Sequence, residues 1–310
     1  MNPAWSVIFF TVLTGMGQGL FLMLVLAQAR EAPGTPEPHS LAIGGGIAVV
    51  LMCAGLACSF FHLGHPLRAW RAVAMWRTSW LSREVIILPA TIGLAGWWSF
   101  AHGFGWPGTG VLGPAGVVLC LALWGCTGMI YACLRFLREW AHWLTPVNFA
   151  LLGWMSGASA FACYWFSVYG AEAARPAVEA ALVLTLVAAC GRIASLVRNH
   201  HLKPLSTPQS AIGVANAKLR QMSQGATGGS FNTREFFHGK SALVVRNVKW
   251  VTLGLAFMLP FVLLMIAARS PVMWLLGAAA LSQLLGLLAE RWLFFAQANH
   301  PQNIYYQAVA

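Results

Sequence analysis

Eight apolar runs, each of about 20 residues, most constrain how this chain can fold. A hydrocarbon core of about 30 Å is crossed by roughly 20 helical residues. The runs lie at residues 5–29, 41–63, 84–102, 111–134, 146–170, 177–198, 250–269 and 272–297. The sequence therefore predicts an all-α integral membrane protein: a bundle of eight transmembrane helices, with residues 1–310 forming a single transmembrane domain.

The composition excludes a single water-soluble globule. Of the 310 residues, 58% are hydrophobic and only 9% are charged, whereas soluble domains carry about 25% charged residues. The formal net charge of +11 would suggest nucleic-acid binding in a soluble protein. Here the charges lie between the apolar runs, so they indicate membrane topology instead.

Basic residues fall mainly on one side of the predicted bundle. The segments after the second, fourth and sixth runs hold fourteen of the nineteen Lys and Arg residues, and the segments on the opposite side hold Arg30, Arg175 and Arg269. By the positive-inside rule, both termini are predicted to be cytoplasmic. The first run exceeds 20 residues and no Lys or Arg precedes it, so we expect a retained helix and not a cleaved signal peptide.

The sequence offers no metal or haem site. Seven cysteines lie in apolar stretches and none forms a C-x-x-C pair. His200, His201 and His238 have no carboxylate or thiolate at ligand spacing, and no pair of histidines lies mid-membrane for haem ligation. We therefore expect no haem or iron–sulfur cluster in this chain, and if it handles electrons, another subunit must hold the clusters.

Within the runs, two features concern packing. The patterns Gly15-x-Gly17-x-Gly19 and Gly153-x-x-x-Gly157 predict close helix approach. Glu290 and Arg291, in the last run, are interpreted as a local structural pair or a helix-end anchor, with proton delivery as the alternative.

Ionisable residues cluster between the second and third runs. His62 ends the second run, and Ser82-Arg83-Glu84 opens the third. In one interpretation Ser82 caps the helix and Glu84 complements its dipole. In the other, His62 and Glu84 share a pocket at the membrane surface and move protons for a lipid-soluble two-electron carrier, a quinone.

This segment resembles a known family. His62-Leu63-Gly64-x-Pro66-x-Arg68-Ala69 followed by Ser82-x-Glu84-Val85 is similar to the signature of the dimethyl sulfoxide reductase anchor subunits, a family that includes the membrane subunit of quinone-dependent sulfite dehydrogenases. The opening residues 2–11 and the closing Ala289-Glu290-Arg291-x-x-Phe294-Phe295 are similar to members too, so the resemblance covers most of the chain.

The resemblance implies a membrane subunit without its own redox centre, in the bacterial inner membrane. Such a subunit holds a quinone, ubiquinone or menaquinone, and docks an iron–sulfur subunit that exchanges electrons with a molybdopterin catalytic subunit. The family's quinone-site residues fall on His62 and Glu84. Ser82 and Arg68 belong to the same motif, and Arg68 would fix the linker or neutralise negative charge on the bound quinone.

The sequence departs from the family pattern at His65 and at Arg83. Arg83 directly precedes Glu84, and we expect it to pair with that carboxylate and lower its basicity. Such a pair would argue against Glu84 as a simple proton acceptor.

Residues 199–249 form a long predicted cytoplasmic linker. Aromatic side chains flanked by basic ones suit a partner-docking surface, and self-packing onto the helix ends is the alternative. The candidate docking residues are Phe231, Arg234, Phe236 and Phe237.

The leading interpretation is a quinone-reactive anchor subunit of a sulfite-oxidising complex, and three other functions compete with it. The preferred reaction is sulfite oxidation with quinone as acceptor, because a quinone pocket and a docking face on the cytoplasmic side suit a substrate produced inside the cell. A dimethyl sulfoxide reductase anchor oxidising menaquinol is the first alternative, and a small-molecule or ion transporter the second. A purely structural anchor is the third, in which His62 and Glu84 have no role in quinone chemistry.

Overall fold

The computed structural model describes residues 1–30, 36–204, 206–214, 218–220, 222–223 and 231–305, and all regular structure within them is helical. The α-helices are α1 (Trp5–Gln28), α2 (Pro38–Phe60), α3 (Trp80–Gly103), α4 (Thr109–Ala132), α5 (Leu144–His200), α6 (Pro208–Ile212), α7 (Phe231–Glu235), α8 (Ala242–Thr252), α9 (Leu259–Arg269) and α10 (Met273–Ala296). Two 3₁₀ segments lie at Pro66–Met75 and Pro301–Tyr305, and a π segment lies at Leu253–Met258.

Seven helical stretches among the described residues are long and apolar enough to cross a membrane. They are α1, α2, α3, α4, α5, α10 and the continuous stretch Ala242–Arg269, which joins α8 to α9. The prediction of an all-α fold with membrane-spanning helices is confirmed.

The fifth helix, α5, is a hairpin. A straight helix of its 57 residues would be about 86 Å long, yet the Asn148 amide nitrogen donates to the Ser195 hydroxyl over 2.7 Å. The chain reverses at Gly170, whose φ of +79° and ψ of −171° are not helical and suit a residue without Cβ. The break falls at the end of the predicted span 146–170, and the second half of α5 contains the predicted span 177–198.

The first helix, α1, lies in the middle of the bundle and packs against both α2 and α5. Its crossing with α5 brings backbone against backbone: a Cβ added to Gly157 would lie 2.2 Å from the carbonyl carbon of Gly19. Only glycine fits such a contact, so the predicted close approach of these helices is confirmed.

The two ends of the bundle are defined by hydrogen bonds between helix ends. At one end the Met1 ammonium donates to the Ala298 carbonyl over 3.0 Å, and the Trp140 indole donates to the Phe294 carbonyl over 2.9 Å. We call this end, which also carries the segment 61–79, the basic face. At the opposite face the Gln28 amide bonds Thr109 over 3.2 Å. The start of α1 and the end of α10 thus share one face; the eight crossings and the cytoplasmic side stay predictions.

The π segment between α8 and α9 is held by α10. The Ser282 hydroxyl donates to the Leu255 carbonyl over 2.8 Å, which satisfies an acceptor within the segment. A Cβ on Gly286 would lie 2.2 Å from the Ala256 nitrogen, so α10 approaches the segment at a glycine. The π segment is therefore a packed part of the bundle and not a frayed end.

The predicted linker 199–249 is shorter in the structure, because α5 continues to His200 and α8 begins at Ala242. The short helices α6 and α7 lie within it. Residues 205, 215–217, 221 and 224–230 are outside the described residues.

Candidate functional site

Glu84 is buried inside the bundle near the start of α3. The residue is 5% exposed, and its carboxylate accepts a hydrogen bond from the Thr127 hydroxyl of α4. A carboxyl group that has lost its hydration and faces a neighbouring helix is costly to keep charged. Glu84 is therefore a candidate for a functional residue.

The start of α3 is capped by Ser79 and not by Ser82. The Ser79 hydroxyl accepts from the Ser82 backbone nitrogen over 3.4 Å, and α3 begins at Trp80. The expectation that Ser82 caps the helix is wrong: Ser82 is a buried residue of the first turn. Glu84 lies beyond that turn, where the helix dipole has little influence.

The expected pairing of Arg83 with Glu84 is also wrong. The Arg83 guanidinium donates to the backbone carbonyls of Trp76 over 3.0 Å and of Arg77 over 2.8 Å. It also lies 4.2 Å from the ring centroid of Trp80. Arg83 is thus bound by the preceding loop, and no described basic group lies within ion-pair distance of Glu84.

His62 lies two residues beyond the end of α2, on the basic face. The residue is solvent-accessible, but neighbouring atoms shield part of the ring. This partial loss of hydration lowers the pKa of His62 below its ordinary value, because it disfavours the charged imidazolium. The described residues show no hydrogen bond between His62 and Glu84.

Arg68 lies in the 3₁₀ segment Pro66–Met75 that connects the two helices. It is exposed, its backbone nitrogen bonds the His65 carbonyl over 2.9 Å, and no described carboxylate lies within 4.0 Å of its guanidinium. The four predicted quinone-site residues therefore fall into two groups. Ser82 and Glu84 are buried at the start of α3, and His62 and Arg68 are accessible on the loop before it.

A second polar cluster joins α5 to α10 near the basic face. Glu290 is fully buried between two arginines: its carboxylate lies 2.8 Å from Arg192 Nε, without the alignment of a hydrogen bond, and 2.5 Å from Arg291 Nε. The Arg291 guanidinium also lies 4.1 Å from the ring centroid of Phe149. The sequence predicts the local pair of Glu290 with Arg291, but it gives no signal for the part played by Arg192.

The cluster borders a cavity of about 10 Å³, which has room for a single water molecule. Besides the ion-paired Arg192 Nε and Glu290 Oε1, four buried polar atoms of its lining residues have no hydrogen-bond partner among the described residues: Arg192 Nη2, Arg291 Nη1, Asn148 Oδ1 and Glu139 Oε2. A water molecule there would satisfy groups that the protein leaves unpaired.

Tyr131 lies one helical turn after Thr127 on α4. Its ring packs against Trp140 and Phe149, with centroids 5.2 and 5.6 Å apart. Arg291, whose guanidinium lies over the Phe149 ring, thus contacts the same aromatic cluster.

The candidate docking residues are partly covered by the protein itself. Phe236 lies 4.6 Å from His300, between ring centroids, and is half-buried. Phe231 lies 5.8 Å from the same ring but is 53% exposed. Arg234 is exposed and Phe237 is half-buried. Phe236 therefore packs against the protein itself, whereas Phe231 and Arg234 form the accessible surface of α7.

The described residues contain no group of three or more His, Cys, Asp or Glu side chains placed to hold a metal ion. All seven cysteines are free thiols. The candidate residues at the basic face are a buried carboxyl and an accessible imidazole, which can exchange protons, and several guanidinium groups, which carry permanent positive charge.

Comparison with known proteins agrees with this architecture. The family model "DMSO reductase anchor subunit (DmsC)" matches residues 1–297. The chain is 47% identical, over 340 aligned positions that cover all of both proteins, to a sulfite dehydrogenase subunit of Allochromatium vinosum. The chain therefore belongs to the family of dimethyl sulfoxide reductase anchor subunits and is a multi-pass membrane protein.

Proposed function

We propose that this anchor is quinone-reactive and exchanges electrons between the membrane quinone pool and an iron–sulfur subunit. The observation that carries the proposal is the buried Glu84 carboxyl, hydrogen-bonded by Thr127, with no described cation in ion-pair contact. A buried ionisable group within a membrane helix is by default a candidate for function.

A quinone supplies two-electron, two-proton chemistry when bound, and the residues of this chain supply proton transfer and orientation. Glu84 is placed to hold a proton inside the bundle, because Thr127 fixes one oxygen of its carboxyl group. His62 is placed to exchange a proton with water at the basic face, because it is accessible and an imidazole titrates near neutral pH. Arg68 contributes positive charge on the loop that follows His62.

Replacing Glu84 by glutamine or His62 by alanine is expected to lower quinone-coupled turnover of the intact complex by on the order of 100-fold, as for loss of a proton-transfer group. Activity with an artificial soluble dye, which takes electrons before they reach this subunit, should stay unchanged. The measurement is the ratio of the two activities in the same purified complex.

Matched controls come from the opposite face. Glu172 and His39 are exposed there, and Glu172→Gln and His39→Ala should leave both activities unchanged. Thr127→Val keeps the Glu84 carboxyl but removes its hydrogen-bond donor, and we expect a smaller decrease than Glu84→Gln causes. Equal loss of dye and quinone activity in the Glu84→Gln complex would indicate misassembly and contradict the site.

The partners that this function requires are an iron–sulfur electron-transfer subunit and a molybdopterin catalytic subunit, with the anchor in the bacterial inner membrane. We favour sulfite oxidation with quinone as acceptor. The full-length relative bears the name of a sulfite dehydrogenase, and fourteen of the nineteen basic residues lie in the segments assigned to the basic face.

This direction depends on orientation. If the basic face is cytoplasmic, a reporter protein fused after residue 310 should be fluorescent inside the cell, and a reporter that is active only in the periplasm should be silent. The reverse result would place the catalytic subunits outside and would favour the dimethyl sulfoxide reductase direction, with menaquinol as electron donor.

A further inference from the structure

The segment between α2 and α3 exposes large apolar side chains at the basic face. Leu67 is 94% exposed and Trp70 71% exposed, and Met75 and Trp76 are exposed too. The segment is joined directly to Phe60, the last residue of α2, and to Trp80, the first of α3. Because both helices are apolar enough to cross a membrane, the segment lies where the hydrocarbon core gives way to lipid headgroups.

The same segment is strongly basic. From His62 to Arg83 it contains four arginines and no Asp or Glu. No described carboxylate lies within 4.0 Å of any of the four. No carboxylate in the described part of the chain therefore pairs with their positive charge.

Indole and guanidinium groups alternate along this stretch. Arg71 lies 5.5 Å from the ring centroid of Trp70, and Arg77 lies 5.4 Å from that of Trp76. Indole rings favour the apolar edge of the interface, and guanidinium groups reach past them to the phosphate level. A guanidinium is suited to phosphate because its planar set of donors can bind two oxygens at once.

We propose that Arg71 and Arg77 bind the headgroup phosphate of an anionic phospholipid, with Trp70 and Trp76 seated at the acyl-chain boundary. Charge complementarity selects an anionic lipid, since the segment offers only positive charge. Arg83 takes no direct part, because the carbonyls of Trp76 and Arg77 already hold its guanidinium. This inference is independent of quinone chemistry at Glu84.

The test uses the delipidated complex in non-ionic detergent, titrated with fluorescently labelled phosphatidylglycerol or phosphatidylcholine. The wild-type complex should bind phosphatidylglycerol more tightly, and added salt should weaken that binding through screening. The double variant Arg71→Gln/Arg77→Gln should lose about 30-fold in affinity for phosphatidylglycerol, as expected for two basic residues near the headgroups. Its affinity for phosphatidylcholine should not change.

The matched control is Arg30→Gln/Arg269→Gln, which removes the same charge from two exposed arginines of the opposite face and should bind phosphatidylglycerol as the wild type does. The variant Arg71→Lys/Arg77→Lys keeps the charge but loses the planar guanidinium donors, so it should bind phosphatidylglycerol more weakly than the wild type and more tightly than the glutamine variant. It tests the proposal even if the glutamine variant fails to fold. Equal wild-type affinity for the two lipids, or equal loss in the control, would overturn the proposal. Release of a partner subunit by the glutamine variant, with lipid binding intact, would show a protein interface instead.

Discussion

Replacing Glu290 by glutamine is expected to reduce sharply the amount of folded anchor in the membrane. Glu290 is fully buried between Arg192 and Arg291, and its carboxylate is the only described anion in ion-pair contact with either. Removing one partner of a buried ion pair costs about 3–5 kcal/mol, because the remaining charge stays buried without compensation. Here two cations would be left, against a total stability of about 5–15 kcal/mol for a typical domain.

The measurement is the thermal transition and yield of the detergent-solubilised chain on size-exclusion chromatography. Glu172→Gln is the control, because its ion pair with Arg175 is exposed and contributes little. Adding Arg192→Met to the Glu290→Gln chain removes one of the two orphaned cations and should recover part of the loss. If the Glu290→Gln chain had the same yield and thermal transition as the wild type, the cluster would not stabilise the fold as proposed.

The second large effect is expected at the crossing of α1 and α5. Gly157→Ala places a methyl group 2.2 Å from the carbonyl carbon of Gly19 and 2.3 Å from the Leu20 nitrogen. Both are backbone atoms, so the strain cannot be relieved by a rotamer change and the helices must move apart. We expect a loss of about 1–3 kcal/mol, the usual cost of overpacking, measured as a lower melting temperature.

Gly277→Ala is the matched control for this substitution. Gly277 lies inside α10, and a Cβ there meets no atom within 4 Å. Because alanine favours helix by up to about 1 kcal/mol over glycine, this variant should be as stable as the wild type or slightly more stable. If both alanine variants melted at the same temperature, close approach at Gly157 would not be a determinant of stability.

The helices were largely predictable from the sequence, because apolar runs report helix length directly. The predicted span 5–29 agrees with α1 at Trp5–Gln28, whereas α3 begins at Trp80, four residues before the predicted 84. The difference arises because the first turn of α3 carries Ser82 and Arg83, polar residues that a hydropathy pattern assigns to a loop. The reversal in α5 also has a sequence signal, Gly170 between two apolar runs.

The site was less predictable, because its contacts join distant positions. Thr127 within an apolar run gives no sign that its hydroxyl binds Glu84, and Arg192 lies 98 positions before Glu290. The expected pair of Arg83 with Glu84 was wrong because the side chains of two adjacent helix residues point in different directions. Glu84 turns inward to α4, whereas Arg83 is captured by carbonyls of the loop.

The π segment at Leu253–Met258 contains one residue more than an α-helix of the same length would need. The extra residue is thus accommodated inside the helix and not in a loop. Each residue turns an α-helix by about 100°. In a relative one residue shorter at this point, an uninterrupted α-helix would rotate Ala242–Thr252 by that angle against α9. Arg246 and Lys249 would then face another side of the bundle. A one-residue gap in an alignment of this stretch would thus indicate that these two basic side chains point in a different direction, and not that a loop is shorter.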